Sequence, residues 1–320
     1  MNLVSLMITH DRPSPYSTGD PMISLTQAQL HQFHEDGFLI VENLLEEALV
    51  DRLVKRVEPL FSGEFETGVY PDEWYWNPSL GLPGASGQMS NVWKSDRAFA
   101  SVILAAKIGE IGAAVGGWKG SRLLSDSLWM KPYGASETTL HQDSMYSFYH
   151  TPQELVTCWI ALSHAVKGAS TIEYVRGSHR WMLSGAVPEF HAPSRSYRWE
   201  MEQAAERAGV GKPEVLELEM KPGSCAFHHG HMWHGSGKNQ MPDVIRRSLV
   251  MAYIPAESRF QPTGSYVPGG YIAGRYKRFG DDTMDESFFP IVWQEDGYRT
   301  PFLTGYCKDA LAEHAPPVLV

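Results

Sequence analysis

The 320-residue chain has little cysteine: Cys158, Cys225 and Cys307 are too few and too scattered for a disulfide framework or a zinc cluster. It is also short of positive charge, with 27 Lys and Arg against 37 Asp and Glu, a formal balance of −10. That excludes a general nucleic-acid binder, which needs a cationic field to hold phosphates. No uninterrupted apolar run approaches the roughly 18 residues of a membrane span. Met1 to Met22 lack a basic stretch followed by an apolar core, so no secretory leader is expected and a reducing cytoplasm is the default compartment. Internal repeats and low-complexity tracts are missing as well. Aromatics are not: 10 Trp, 14 Tyr and 13 Phe supply far more apolar surface than a disordered chain carries. A chain of this length buries well over half of its unfolded surface and needs no covalent staple.

Residues 1–23 mix Pro, Ser, Gly and Asp without periodicity and read as a loose arm, followed by a single domain over 24–320. Its first part, about 24–120, is helical. Leu25, Ala28, Leu30 and Phe33 recur at helical spacing until Gly37, and Phe38-Leu39-Ile40-Val41 is a short strand. A second helix starts near Glu46 with Leu49, Val50, Leu53 and Val57 on one stripe, and a third is expected from Phe99 to Val115. Residues 62–95 between them read as an aromatic-rich loop, long enough to cover something. From about 121 to 255 short strands alternate with Gly, Pro and Asn breaks, the texture of a β-sandwich or barrel: 123–131, 138–141, 155–162, 171–175, 214–218, 225–229 and 246–254. Residues 256–320 read as an extended wrap.

Chemistry concentrates in two places. His141-Gln142-Asp143 closes a strand, where residues i and i+2 project to one face, so His141 and Asp143 can converge on one ion. Far downstream, His228, His229, His231 and His234 fall within seven positions and offer a third ligand, an imidazole from another strand. Two His and one carboxylate leave three open octahedral positions, the arrangement of non-haem iron(II) oxygenases. Arg246 and Ser248 share a strand face; a guanidinium fork with a hydroxyl beside it suits a distal carboxylate, although pairing of Arg246 with an acid such as Asp243 is the plainer alternative.

These residues carry a resemblance. Leu25-Thr26, Phe33 and the run Asp36-Gly37-Phe38-Leu39-Ile40-Val41-Glu42-Asn43-Leu44-Leu45 open the chain. Lys131-Pro132, His141-Gln142-Asp143, Trp159, Gly177-Ser178-His179, Pro222-Gly223-Ser224, His234-Gly235-Ser236-Gly237-Lys238-Asn239 and Arg246-Arg247-Ser248 follow in order. From about Leu25 to Tyr253 the chain resembles the phytanoyl-CoA dioxygenase family of iron(II)- and 2-oxoglutarate-dependent oxygenases.

The resemblance implies a mainly β fold with flanking helices around a double-stranded β-helix, or jelly-roll, core. It implies iron bound by His141, Asp143 and His234, with His231 the fallback for the third ligand. It also implies 2-oxoglutarate held by Arg246 and lined by Ser248, Ser236, Trp159 and Lys131, with O₂ as the oxidant. The expected partner is a small, partly apolar metabolite, hydroxylated at an unactivated C–H; the acidic balance disfavours a polyanion such as an acyl-CoA. Tyr146, Phe148, Trp76 and Trp93 are candidates for an aromatic substrate chamber, with core packing as the alternative. The chain departs from the family at Arg176, where a proline is usual, and at Val166-Lys167-Gly168, which replaces an acidic-Asn-Gly turn. Related halogenases carry a small residue where Asp143 stands, so halogenation is disfavoured. His164 and His179 read as structural, Cys225 as a small buried hydrophobe, and His228 and His229 as packed or supporting groups. Two other classes remain in view: a non-catalytic metal-binding or ligand-sensing jelly roll, for which Arg246 and Ser248 have no use, and a zinc hydrolase built on His229, His231 and His234.

Overall fold

The computed structural model describes residues 25–77, 79–82, 84–262 and 275–312; the loose arm expected over 1–23 lies outside them, as do 263–274 and 313–320 of the expected wrap. The first helix, α1 (Gln27–Asp36), begins at a capping box. Thr26 accepts from Gln29 N, and the Gln29 side chain accepts in return from Thr26 N. It ends on Gly37, whose left-handed backbone lets its N–H reach Phe33 O at 2.8 Å. The chain then enters β1 (Phe38–Val41) and α2 (Glu47–Phe61), which buries Leu49, Val50, Leu53, Val57 and Leu60.

The helix expected from Phe99 to Val115 is two helices, α3 (Arg97–Ile103) and α4 (Ala106–Gly116). Asp96 caps the first, and Asp309, from the far end of the chain, accepts from Ala106 N at 2.9 Å to start the second. By length and composition alone the 97–116 stretch could cross a membrane, contrary to the sequence expectation. In the fold 72% of its most apolar window is buried inside the protein, the behaviour of core helices.

Two antiparallel sheets follow. The larger orders β1, β10 (Cys225–His229), β7 (Val156–Ala161), β12 (Arg246–Pro255), β4 (Gly120–Lys131), β3 (Gly87–Ser90) and β2 (Glu73–Trp74), with β14 (Ile291–Gln294) also on β4. The smaller orders β5 (Thr138–His141), β11 (His234–Ser236), β8 (Glu173–Val175) and β9 (Val215–Glu217). A third pair, β6 (His150–Thr151) with β13 (Arg259–Phe260), lies beside them, and α5 (Trp199–Arg207) lies against β5. The jelly-roll expectation agrees with these facing sheets. Three details do not. Residues 62–95 are not all loop, because β2 and β3 extend the large sheet. The C-terminal region contributes β13, β14 and a helical turn at Leu303–Tyr306. The strand β11 and the helix α5 were not anticipated.

Period-two alternation divides the large sheet. Leu249, Met251 and Tyr253 of β12, with Cys158 and Ile160 of β7, Cys225 and Phe227 of β10 and Leu128 and Met130 of β4, pack on α2, α3 and α4 as one core. Arg246, Ser248, Val250 and Ala252 face the other way, toward the small sheet. A one-residue slip in any of these strands would exchange core for site.

Gly37 sits where this scaffold is tightest. At φ +84° an added Cβ would lie 2.4 Å from His179 Nδ1 and 2.5 Å from Met232 Cε. Gly37→Ala is expected to cost about 1–3 kcal/mol of stability. In urea unfolding this reads as a lowered midpoint at unchanged slope; an unshifted midpoint would contradict it.

Candidate metal centre

The strand β5 ends at His141, so Asp143 does not share a strand with it as the sequence suggested; it opens a 3₁₀ turn, Asp143–Tyr146. The turn is fixed from several sides. Ser144 N donates to Gly230 O, while the Gln142 amide donates to His231 O and accepts from Ser184 N. His234 begins β11 directly opposite His141, with ring centroids 4.3 Å apart. His141 Nε2 and His234 Nε2 lie 3.3 and 3.5 Å from the same oxygen, Asp143 Oδ1, and the three ligand atoms fall within 4.8 Å of one another.

Tautomers follow from the other ring nitrogens. His141 Nδ1 is 2.8 Å from Thr139 O and His234 Nδ1 is 2.9 Å from Met232 O. A carbonyl only accepts, so each Nδ1 carries the proton and each Nε2 keeps its lone pair for a metal. Burial favours the neutral form of His234. The far carboxylate oxygen, Asp143 Oδ2, accepts from Thr157 Oγ1 at 2.7 Å and lies 3.3 Å from His228 Nε2, while His228 Nδ1 meets Tyr174 OH at 2.8 Å. Burial pushes the Asp143 carboxyl up, but His234, His141 and His228 outweigh it and hold the group well below the usual carboxylate range. The donor set fits a divalent ion of the iron type: two neutral imidazoles, one hard anion, and outer partners that orient all three.

A second cluster stands beside it. Arg246 and Lys131 face each other across β12 and β4, both buried. Arg246 donates through Nε to Ser170 O (2.9 Å) and through Nη1 to Ser248 Oγ (2.6 Å), and the Trp159 ring lies 5.9 Å from its guanidinium carbon. Lys131 Nζ gives its three donors to Ser136 O, Thr138 Oγ1 and Ser236 Oγ. These three bonds brace Ser236 and Thr138. Burial draws the Arg246 guanidinium down to about 9, and burial together with Arg246 holds the Lys131 ammonium well below its ordinary value. Among the described residues no carboxylate pairs with either cation, so this end of the site fits an anion.

The two clusters share a cavity of about 580 Å³. Tyr146 lines it, 5.8 Å from the His141 ring. Trp93 does not: it is buried in the core against Phe302 and Tyr306. Trp76 packs edge-on against Phe61, and neither it nor Phe148 is among the lining residues described. The aromatic wall is instead Tyr75, Trp129 and Phe190, the last 4.5 Å from His141. Thr157 escaped the sequence reading although it was reachable, standing two residues before Trp159 on the same strand face; His228, read there as a packed or supporting group, lies 3.3 Å from Asp143 Oδ2. His229 and His231 meet edge-on with ring centroids 5.0 Å apart, and His179 lies 5.6 Å from His229. His229, His231 and His234 do not gather as a zinc hydrolase would require; among the described residues His141, Asp143 and His234 alone form such a group.

Residues 33–248 match the family model for phytanoyl-CoA dioxygenase. The chain belongs to that family. The Arabidopsis thaliana phytanoyl-CoA dioxygenase is 22% identical over 253 residues, 68% of this chain and 84% of that protein. The dioxygenase swnH1 of Metarhizium robertsii is 27% identical over 146 residues, 43% of this chain but only 40% of the relative. Among solved structures, the epimerase SnoN from nogalamycin biosynthesis, in complex with Fe³⁺, alpha ketoglutarate and nogalamycin RO, superposes with TM-score 0.62 at 18% identity. The alignment covers 83% of this chain and 97% of that one, and the likeness is one of fold.

Thr157 reaches the metal only through Asp143. Thr157→Val keeps the shape and removes the hydrogen bond, and is expected to weaken divalent-metal retention roughly 10–100-fold. Dialysis against a graded chelator checks this; retention equal to the parent protein would contradict it.

Proposed function

We propose that this protein is an iron(II)- and 2-oxoglutarate-dependent oxygenase that hydroxylates an unactivated C–H of a small, partly apolar metabolite. The observation that carries the reading is that two imidazole lone pairs, freed by their Nδ1–carbonyl bonds, aim at one carboxylate oxygen in a cavity that also holds Arg246. His141, Asp143 and His234 would hold the iron. With O₂ and 2-oxoglutarate, that centre supplies oxidative decarboxylation to succinate and CO₂ and the oxidising power for C–H cleavage.

The chain's own residues do the rest. Thr157 and His228 keep the Asp143 carboxylate ionised and turned toward the two ligand imidazoles. Arg246, steadied by Ser170 O and Ser248, holds the distal carboxylate of 2-oxoglutarate, with Ser236 and Trp159 around it. Lys131 fixes Ser236 from behind. On the substrate side Phe190 and Tyr146 shield His141, and Leu155, Ile172, Val250, Ala252 and Phe289 make an apolar floor that excludes water and positions the carbon.

An anaerobic visible spectrum of the iron(II) protein should gain a charge-transfer band on addition of 2-oxoglutarate. His141→Ala should abolish both the band and 2-oxoglutarate consumption. Arg246→Ala should leave iron bound and raise the 2-oxoglutarate concentration at half-maximal band about 10–100-fold, the worth of charge-assisted hydrogen bonds. No band in folded parent protein would favour the non-catalytic metal-binding reading. A product changed in configuration or hydrogen count without added oxygen would replace hydroxylation by epimerisation, desaturation or cyclisation at the same site.

A further inference from the structure

Tyr174 belongs to the small sheet but spends its hydroxyl on the large one. On β8 it stands directly opposite His234 of β11, so the two side chains leave the sheet on one face, with ring centroids 6.3 Å apart. Its phenol reaches across to His228 of β10, whose Nδ1 lies 2.8 Å from Tyr174 OH. The Tyr174 ring is fully buried and is backed at 5.1 Å by Phe38, the residue opposite His228 on β1. His228 is itself 1% exposed, with its ring centroid 4.3 Å from that of His234. Packing therefore leaves each of these rings a narrow choice of orientation.

The direction of the hydrogen bonds follows from the far end. Ionised Asp143 is acceptor-only, so the His228 Nε2 that meets its Oδ2 at 3.3 Å carries the proton. A neutral imidazole holds one N–H, so Nδ1 keeps a lone pair, and the phenol O–H is the donor that satisfies it. Polarisation runs the same way: a donor on Nδ1 draws density from the ring and makes Nε2–H the stronger donor to the carboxylate. With Thr157 Oγ1 at 2.7 Å, both donors fall on Oδ2, while Oδ1 faces Nε2 of His141 and of His234. The two carboxylate oxygens are thus divided, one for the protein and one for a cation.

We propose that Tyr174 is a positioning residue of the metal centre: through His228 it keeps Asp143 Oδ2 hydrogen-bonded, so that Asp143 offers a metal Oδ1 alone. The proposal rests on the reading of His141, Asp143 and His234 as metal ligands. One oxygen and two imidazole nitrogens leave three positions of an octahedron open, as many as a two-point cosubstrate and O₂ together require. A carboxylate free to turn would close one of them with its second oxygen. Tyr174 is not among the residues described as lining the cavity, so removing its hydroxyl leaves the walls that a substrate meets unchanged.

The test uses the full chain with ¹⁵N-labelled histidine, without metal and loaded with zinc(II), a diamagnetic probe of the same ligands. The His228 signals are assigned by their loss from His228→Phe. In the parent protein they should show a proton on Nε2 and an unprotonated, hydrogen-bonded Nδ1. Tyr174→Phe, which removes one oxygen and keeps the ring, should move the Nδ1 signal to that of a free pyridine-type nitrogen. Zinc(II) affinity, read by competition with a chromophoric chelator, should fall about tenfold in Tyr174→Phe. In a His228→Phe background the same change should cost less than about twofold, because the phenol acts only through that ring. A proton on His228 Nδ1 in the parent protein would make the phenol oxygen an acceptor and overturn the proposal, whether or not the variants fold. An unchanged affinity in Tyr174→Phe, or an equal loss in both backgrounds, would overturn it as well. Failure of the parent protein to hold zinc(II) overturns the metal reading itself, whereas parent retention matched by Tyr174→Phe overturns the role of Tyr174 alone.

Discussion

The Asp143 carboxylate joins the two sheets. Its Oδ1 faces His141 and His234 from the small sheet, and its Oδ2 takes Thr157 and His228 from the large one. His141 and His234 are opposite one another in register, and so are Thr157 and His228. The clasp is therefore two cross-strand pairs closing on one anion, and its geometry depends on register in both sheets at once. Burying a carboxylate is costly by itself; the Thr157 hydroxyl and His228 offset part of that cost at Oδ2 without adding a full positive charge, and the Nε2 lone pairs of His141 and His234 leave Oδ1 to share a cation with them. A fully cationic partner such as arginine would have cancelled the charge that a metal ion needs.

The same economy runs along β12. One face, with Leu249, Met251 and Tyr253, belongs to the core under the helices; the other carries Arg246, Val250 and Ala252 into the cavity, with Ser248 bonded to Arg246 beside them. Stability and chemistry are thus written on alternate residues of one strand. Rigid packing beneath holds the polar side chains above to the tolerances that a metal site demands.

How much of this is legible in a sequence depends on the range of the interaction. Gly37 as a helix stop, the 225–229 strand and the alternation of Arg246 with Ser248 are local and could be read directly. His141 and Asp143 were paired by strand geometry, yet the structure brings them together through a turn; the residues are adjacent for a different reason. The break between α3 and α4 has no local signature, because the residue that caps α4 is Asp309, some two hundred positions away in the chain. β2 has only two residues, and its identity comes from its neighbour β3, not from its own pattern. Aromatic residues are the hardest case. Trp93 and Trp129 look alike in composition, and only their placement puts one in the core and the other in the cavity wall.

Two buried cations side by side, Arg246 and Lys131, repel one another in a setting that screens them poorly. Lys131 has spent its donors on neutral oxygens, which leaves Arg246 as the group whose charge a ligand can relieve. A dianion entering the cavity gains most by placing one carboxylate there. That attraction gives a dicarboxylate a favoured direction. On the proposed reading, the other end of 2-oxoglutarate would then lie toward His141, Asp143 and His234, which line the same cavity.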